Sequence, residues 1–293
     1  MTTLSVIIIT KNEELHIKDC ILSVAQIANE VIVYDSKSTD QTTQIAKALG
    51  AKVEVSSDWK GFGIQKNRAL AMATSDWVLA LDADERVSEE LAMSIQAVLQ
   101  ANGQETCFYL NRESWYCGRL IKHSGWQEDK ILRLFKRGFA KFTEDRVHER
   151  IVQVHLSADP KSSSHTLSTH PNSHTHTHTH TQNHPSSIPS TGSLLRGTLE
   201  HYSFADFDEV LEKVNRYSSL WAEQRFALGE TSSPLKAAFH GIAAFCKTLL
   251  FKGGFLDGAH GFALAISNAE GAYYKYLKLW HLNQGQGTKN FTQ

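Results

Sequence analysis

No run of 18 or more apolar residues occurs in this 293-residue chain, which argues against a membrane-spanning helix. Neither sign of charge dominates. Thirty lysines and arginines stand against 31 aspartates and glutamates, so the electrostatic footprint of a nucleic-acid binder is missing and no nucleic-acid partner is expected. Cysteine is scarce: Cys20, Cys107, Cys117 and Cys246 form no C-x-x-C pair and no framework spacing, and they read as reduced thiols of a cytosolic protein. The chain opens straight into a strand-like segment, Leu4–Ile9, without a basic leader or a cleavage site, so no signal peptide is expected. Gly61-Phe62-Gly63 lacks the third glycine of a dinucleotide fingerprint and reads instead as a flexible loop, with Trp59 and Phe62 as apolar cover over a ligand.

What is present begins with Trp77–Asp84, a buried strand ending in two carboxylates one residue apart. An extended backbone sends alternate side chains to one face, so Asp82 and Asp84 are expected to emerge together at the strand tip. Two such carboxylates call for positive charge between them. A divalent cation (Mg²⁺ or Mn²⁺) bridging nucleotide phosphates supplies it, because Mg²⁺ favours one or two carboxylates plus phosphate oxygens.

Strand and helix signals alternate through the first hundred residues. Ser5–Ile9 is a β-branched run suited to a strand buried on both faces. Val31–Tyr34, Lys52–Val55 and Trp77–Leu81 follow as strands, with helices capped near Asn12 and Ser38–Asp40, then Asn67–Ala73 and Ser88–Leu99. This βαβαβαβ order predicts a Rossmann-like, mostly parallel sheet flanked by helices, with ligands at the carboxyl ends of the strands. Thr10–Asn12, Asp35–Ser36 and Asp82–Asp84 then share one rim. Thr106–Arg112, Ile131–Phe135 and Arg150–His155 read as further strands.

At 157–193 the composition shifts to Ser, Thr, His, Asn and Pro, which reads as a disordered surface insertion. The His-Thr repeat at His174–Thr181 puts four imidazoles on one face if extended, enough for weak metal capture. A (CA)n dinucleotide tract, which encodes His-Thr without end and varies in length by slippage, is the more economical origin. From Leu199 the chain reads as helical, with 194–282 a helical C-terminal region and 283–293 a flexible tail. Leu235, Ala238, Phe239, Ile242, Cys246, Leu249 and Leu250 form an apolar stripe beside Lys236, His240, Lys247 and Lys252. Two readings stand for it: packing on the catalytic domain, or an in-plane helix on an anionic membrane surface.

Together, Val6–Glu13, Val33–Thr42, Gln65–Ala69, Trp77–Arg86 and Arg146–Arg150 resemble a family 2 glycosyltransferase of GT-A fold. Ser124-Gly125-Trp126, Leu132-Arg133-Leu134-Phe135, Val147-His148-Glu149 and Gly254–Gly258 bring the resemblance closer to the bacterial lipopolysaccharide inner-core β-1,4-glucosyltransferases. It covers 1–156, the expected GT-A catalytic domain, and 194–282. The resemblance implies inverting transfer of a hexose, glucose from UDP-glucose, to the heptose of a lipid-anchored inner core, on the cytoplasmic face of the membrane. It assigns the nucleotide-sugar donor to Thr10, Asn12, Glu13, Asp35, Ser36, Lys66 and Asp82. Metal binding falls to Asp82 and Asp84, with His148 as a third ligand, and Arg68 is a further candidate for phosphate. The base that takes the acceptor proton is Glu149, which best matches the subgroup, or Asp145 of the Glu144-Asp145 pair. Trp126 is a candidate sugar platform and Asp129 a candidate hydroxyl acceptor. Family members usually carry glycine where this chain has Lys37. Within the same family, transfer of another sugar or to another acceptor in surface polysaccharide synthesis is the alternative. Two rivals outside it remain: a sugar nucleotidyltransferase, which wants a glycine-rich loop after the first strand where this chain has Thr10–Glu13, and a His-rich metal-binding module.

Overall fold

The computed structural model describes residues 2–101, 103–127, 129–144, 150–154 and 192–287. The candidate bases Asp145 and Glu149, the candidate ligand His148, and the His-Thr repeat lie outside these residues.

The first half alternates strand and helix: β1 (Leu4–Thr10), α1 (Ile17–Val24), β2 (Glu30–Asp35), α2 (Thr42–Ala48), β3 (Lys52–Val55), α3 (Phe62–Ala71) and β4 (Trp77–Asp82). The four strands lie parallel in the order β3-β2-β1-β4. Every residue of β1 is buried, as a strand covered on both faces must be. Its side chains alternate: Leu4, Val6 and Ile8 join α1 and α4 (Glu89–Ala101) in one core, while Ile7 and Ile9 join α3 in a second. The amino-terminal edge of the sheet is knitted by polar side chains. Glu30 accepts from Ser5 Oγ and from both Thr74 N and Oγ1, and Asp76 accepts from Thr3 N and Oγ1.

Beyond β4 the sheet turns mixed. After β5 (Glu85–Val87) come β6 (Cys107–Tyr116), β7 (Arg119–Leu120), β8 (Asp129–Lys136), β9 (Ala140–Phe142), β10 (Ile151–Gln153) and β11 (Ser193–Phe204). The order continues β4-β8-β6-β11-β5, with β7 on β6, and β9 and β10 form a separate two-stranded sheet.

Three expectations change here. The chain is not helical from Leu199: β11 runs to Phe204, wedged between β6 and β5, and helix begins only at α5 (Phe207–Ala227). Pairing with two distant strands leaves no local periodicity to announce it. Gly197 permits this course, since a Cβ there would lie 2.2 Å from Leu91 N. Gly61-Phe62-Gly63 is no loop; Gly61 caps α3, and Phe62 and Gly63 are its first turn. Asn12 does not cap α1, whose N-cap is His16.

The C-terminal region adds α5, α6 (Pro234–Cys246), a π-helical turn (Lys247–Phe251), a 3₁₀ turn (Gly254–Asp257) and α7 (Gly258–Gly287). The last helix thus runs five residues past the expected boundary at 282. Asp206 and Ser233 cap α5 and α6 through their side chains. The turn Gly254–Asp257 fastens this region to the sheet domain. Buried Asp257 accepts from Lys122 N, His123 N and Ser124 Oγ at 3.0, 3.1 and 2.8 Å, and Ser124 N donates to Lys252 O.

Candidate active site

The loops that leave the carboxyl ends of β1 and β2 brace each other residue by residue. Asn12 N donates to Ser38 Oγ, Thr39 N to Asn12 Oδ1, and Glu13 N to Thr42 Oγ1, each at 2.8 Å. Asp35 is fully buried beneath this brace and accepts from Thr10 Oγ1 (2.9 Å) and Ser38 N (2.7 Å). Thr10, Asn12, Glu13, Asp35 and Ser36 therefore meet on one rim, as expected. In this structure the side-chain oxygens of Thr10, Asn12 and Asp35 serve the turn itself. Ser36 Oγ accepts from Gln65 Nε2 at 3.0 Å. Lys37 adopts a left-handed φ of 59°, the conformation that glycine tolerates best.

Asp82 and Asp84 do not share a strand tip. The chain turns at Ala83-Asp84 into β5, and the two carboxylates take different partners. Asp82 receives Lys66 Nζ on one oxygen at 2.8 Å and Arg133 Nη2 on the other at 2.6 Å. Burial works against its ionisation, but these two cations hold its pKa well below the usual carboxylate range. Lys66 and Arg133 thus bring positive charge to Asp82, the residue expected as a metal ligand. Glu85, wholly buried, sets the turn by accepting from Asp82 N (2.9 Å) and Arg133 Nη2 (2.9 Å).

Asp84 instead faces His201 Nε2 at 3.4 Å. Burial disfavours the Asp84 anion, but the hydrogen bond and charge of His201 outweigh it and lower the pKa. Glu13, nearby, is pushed up to about 8, first by burial and then by the negative charges of Asp84, Glu209 and Asp82, with Lys213 opposing.

The donor set bears on a divalent cation. Among the described residues no group of three or more His, Cys, Asp or Glu side chains is placed to hold a metal, so Asp84 and His201 stand as a pair. A carboxylate and an imidazole, with phosphate oxygens to complete the shell, fit such an ion.

The remaining candidates separate. Arg68 pairs with Asp58 at 2.9 Å and donates to Gln65 Oε1 at 2.7 Å. Asp129, the expected hydroxyl acceptor, accepts from Arg112 Nε at 2.9 Å and Nη2 at 2.6 Å on a single oxygen, Oδ2. Trp126 is half-buried, stacked on Phe204 with centroids 6.4 Å apart and edge-on to Tyr116. Glu85, Arg133 and His201 were missed by sequence reasoning. Glu85 and Arg133 sit inside quoted motifs but carry no signal of their own. His201 reaches Asp84 only because β11 pairs antiparallel with β5, His201 opposite Glu85.

The model of glycosyl transferase family 2 matches residues 5–151, half of the chain. The chain belongs to glycosyl transferase family 2. It is 33% identical over 295 residues to an uncharacterized glycosyltransferase of Rickettsia typhi, covering 97% of this chain and 88% of that protein. It is 26% identical over 282 residues to the lipopolysaccharide core biosynthesis glycosyltransferase LpsC of Rhizobium meliloti, covering 94% and 92%. Among solved structures, S. aureus TarS 1–349 in complex with UDP matches at 23% identity and TM-score 0.40, covering 48% of this chain and 50% of that one. Glucosyl-3-phosphoglycerate synthase from Mycobacterium tuberculosis, in complex with Mn²⁺, UDP and glucosyl-3-phosphoglycerate, matches at 28% and TM-score 0.30, covering 40% and 45%. The family 2 assignment carries the GT-A fold and the glycosyltransferase activity with it, and both rival readings fall away.

Proposed function

We propose that this family 2 enzyme moves glucose from UDP-glucose, with inversion, to the heptose of a lipid-anchored lipopolysaccharide inner core. It would work as a peripheral protein on the inner face of the cytoplasmic membrane. The observation that carries the chemistry is the Asp84–His201 pair on the rim formed at the carboxyl ends of β1, β2 and β4. The acceptor class is supported by similarity over most of the chain to a protein named for lipopolysaccharide core biosynthesis.

In this reading the acceptor hydroxyl attacks the anomeric carbon as the bond to the diphosphate breaks, and a carboxylate removes the hydroxyl proton. Glu149 takes that proton, with Asp145 the competitor. A divalent cation held by Asp84 and His201 would supply positive charge against the departing diphosphate. The uridine and ribose rest on the braced loops 10–13 and 35–38. Lys66 and Arg133 keep Asp82 ionised and fixed on the donor side.

The test is a transfer assay with the full chain, UDP-glucose, Mn²⁺ or Mg²⁺ and a heptose-terminated core acceptor, the anomeric configuration read by NMR. A β-linked product is expected, lost in chelator. Asp84→Ala should remove nearly all turnover with the melting temperature unchanged. His201→Ala should raise the cation concentration for half-activity about 10- to 100-fold, the range typical for weakened metal sites. Glu149→Gln should abolish transfer while UDP-glucose still binds. Full activity in chelator would refute the cation site, and an active Glu149→Gln beside a dead Asp145→Asn would make Asp145 the base.

A further inference from the structure

The three C-terminal helices bury an unusual choice of side chains. Helix α6 turns its small residues inward: Ala237 is fully buried, and a Cβ at Gly241 would lie 3.2 Å from Tyr273 Cβ of α7. Its large apolar side chains point out, with Leu235, Phe239 and Ile242 at 81%, 68% and 67% exposure. A helix that packs only against protein does the reverse. The pattern persists into the two turns that follow. Phe251, Phe255 and Leu256 are 84%, 58% and 60% exposed, although the backbone around them is tightly built. A Cβ at Gly261 would lie 1.8 Å from Gly254 O, so the exposed side chains ride on a fixed turn rather than a loose one.

Charge on this stretch is one-sided. Residues 231–269 hold Lys236, Lys247 and Lys252, and their single acidic residue, Asp257, is buried in its hydrogen bonds to the 122–124 segment. In a chain with acids and bases in balance, a basic, apolar and acid-free face matches an anionic, apolar surface. Among the described residues no helix is long and apolar enough to cross a membrane.

We infer that the outward face of α6 and the 250–256 turn lies on an anionic lipid surface, with Phe251, Phe255 and Leu256 entering the boundary between headgroups and acyl chains. The inference deepens the membrane reading above: Asp257 and Lys252 tie this turn to Ser124, so the lipid contact and the 121–126 segment move as one body. A lipid-anchored sugar then meets the enzyme at a set height.

The full chain is tested by co-sedimentation with vesicles of phosphatidylethanolamine and phosphatidylglycerol, and with phosphatidylcholine vesicles as the uncharged control. Binding to the anionic vesicles is expected, weakened at least tenfold in Phe251→Ser/Phe255→Ser/Leu256→Ser and in Lys236→Glu/Lys247→Glu. Both variants change exposed side chains, so their melting temperatures should match the parent. A parent chain that stays in solution, or variants that sediment as the parent does, would overturn the inference. So would a concentration-dependent dimer that the Phe251 variant dissociates, which would make a second copy the occupant. Transfer to a delipidated, water-soluble core saccharide should be unchanged in the triple variant, whereas transfer to the vesicle-embedded acceptor should fall about tenfold. A parent that binds vesicles yet glycosylates neither acceptor refutes the acceptor assignment and leaves the surface standing.

Discussion

At the scale of single residues, Lys37 shows how a site turn tolerates an unfavourable choice. Its left-handed φ of 59° costs an L-residue roughly 1–2 kcal/mol relative to ordinary backbone, while glycine there costs up to about 1 kcal/mol of chain entropy. The side chain is exposed, and Asp35 and Ser38 hold the turn on either side of it. Lys37→Gly should therefore raise the melting temperature, by about 1–4 °C at this chain size. A fall on differential scanning calorimetry would mean that the lysine side chain itself supports the loop. Asp82 teaches a related lesson. Two acids one residue apart called for positive charge between them, and the structure brings Lys66 and Arg133 to Asp82 and the imidazole of His201 to Asp84.

At the scale of elements, the parallel sheet divides its labour between its two edges. The carboxyl edge carries the rim, and the amino edge is held by side-chain hydrogen bonds, Glu30 chief among them, linking the starts of β1, β2 and the turn before β4. Burial works against ionising Glu30, but the hydrogen bonds from Ser5 and Thr74 outweigh it and hold the carboxyl below its ordinary value. The unfolded chain takes up this proton near pH 4.3, earlier than the folded one does as pH falls. The stabilisation is thus complete above that pH and disappears as pH drops through the folded value. Glu30→Gln should be less stable than the parent at pH 7, with the gap closing by pH 3. Urea midpoints at the two pH values measure it, and an equal gap at both would assign the effect to packing.

At the scale of the whole molecule, the long polar segment of the sequence lies between β10 and β11. Because β11 begins at Ser193 and pairs with Phe108 there, the removable stretch must stop short of it. Replacing 157–190 with a short Gly-Ser linker should leave glycosyl transfer within about twofold and the melting temperature within a few degrees, since a change in the length of a connection between elements costs little. Loss of transfer on the deletion would place an essential group in that segment.

The four parallel strands, their order along the chain and the rim at their carboxyl ends were legible in the sequence, because β-branched runs and capping residues are local signals. So was the placing of Thr10, Asp35 and Asp82 on one rim, since strand ends in a parallel sheet converge by topology. Only the tertiary structure decided that Asp84 meets His201, that Arg133 and Glu85 seat Asp82, and that α6 shows its large apolar side chains to the outside. Each depends on a pairing between segments far apart in the chain, β11 with β5, β8 with β4 and α6 with α7. Local periodicity can mark an apolar stripe. Which way the stripe faces is set by the partner that packs against the other side.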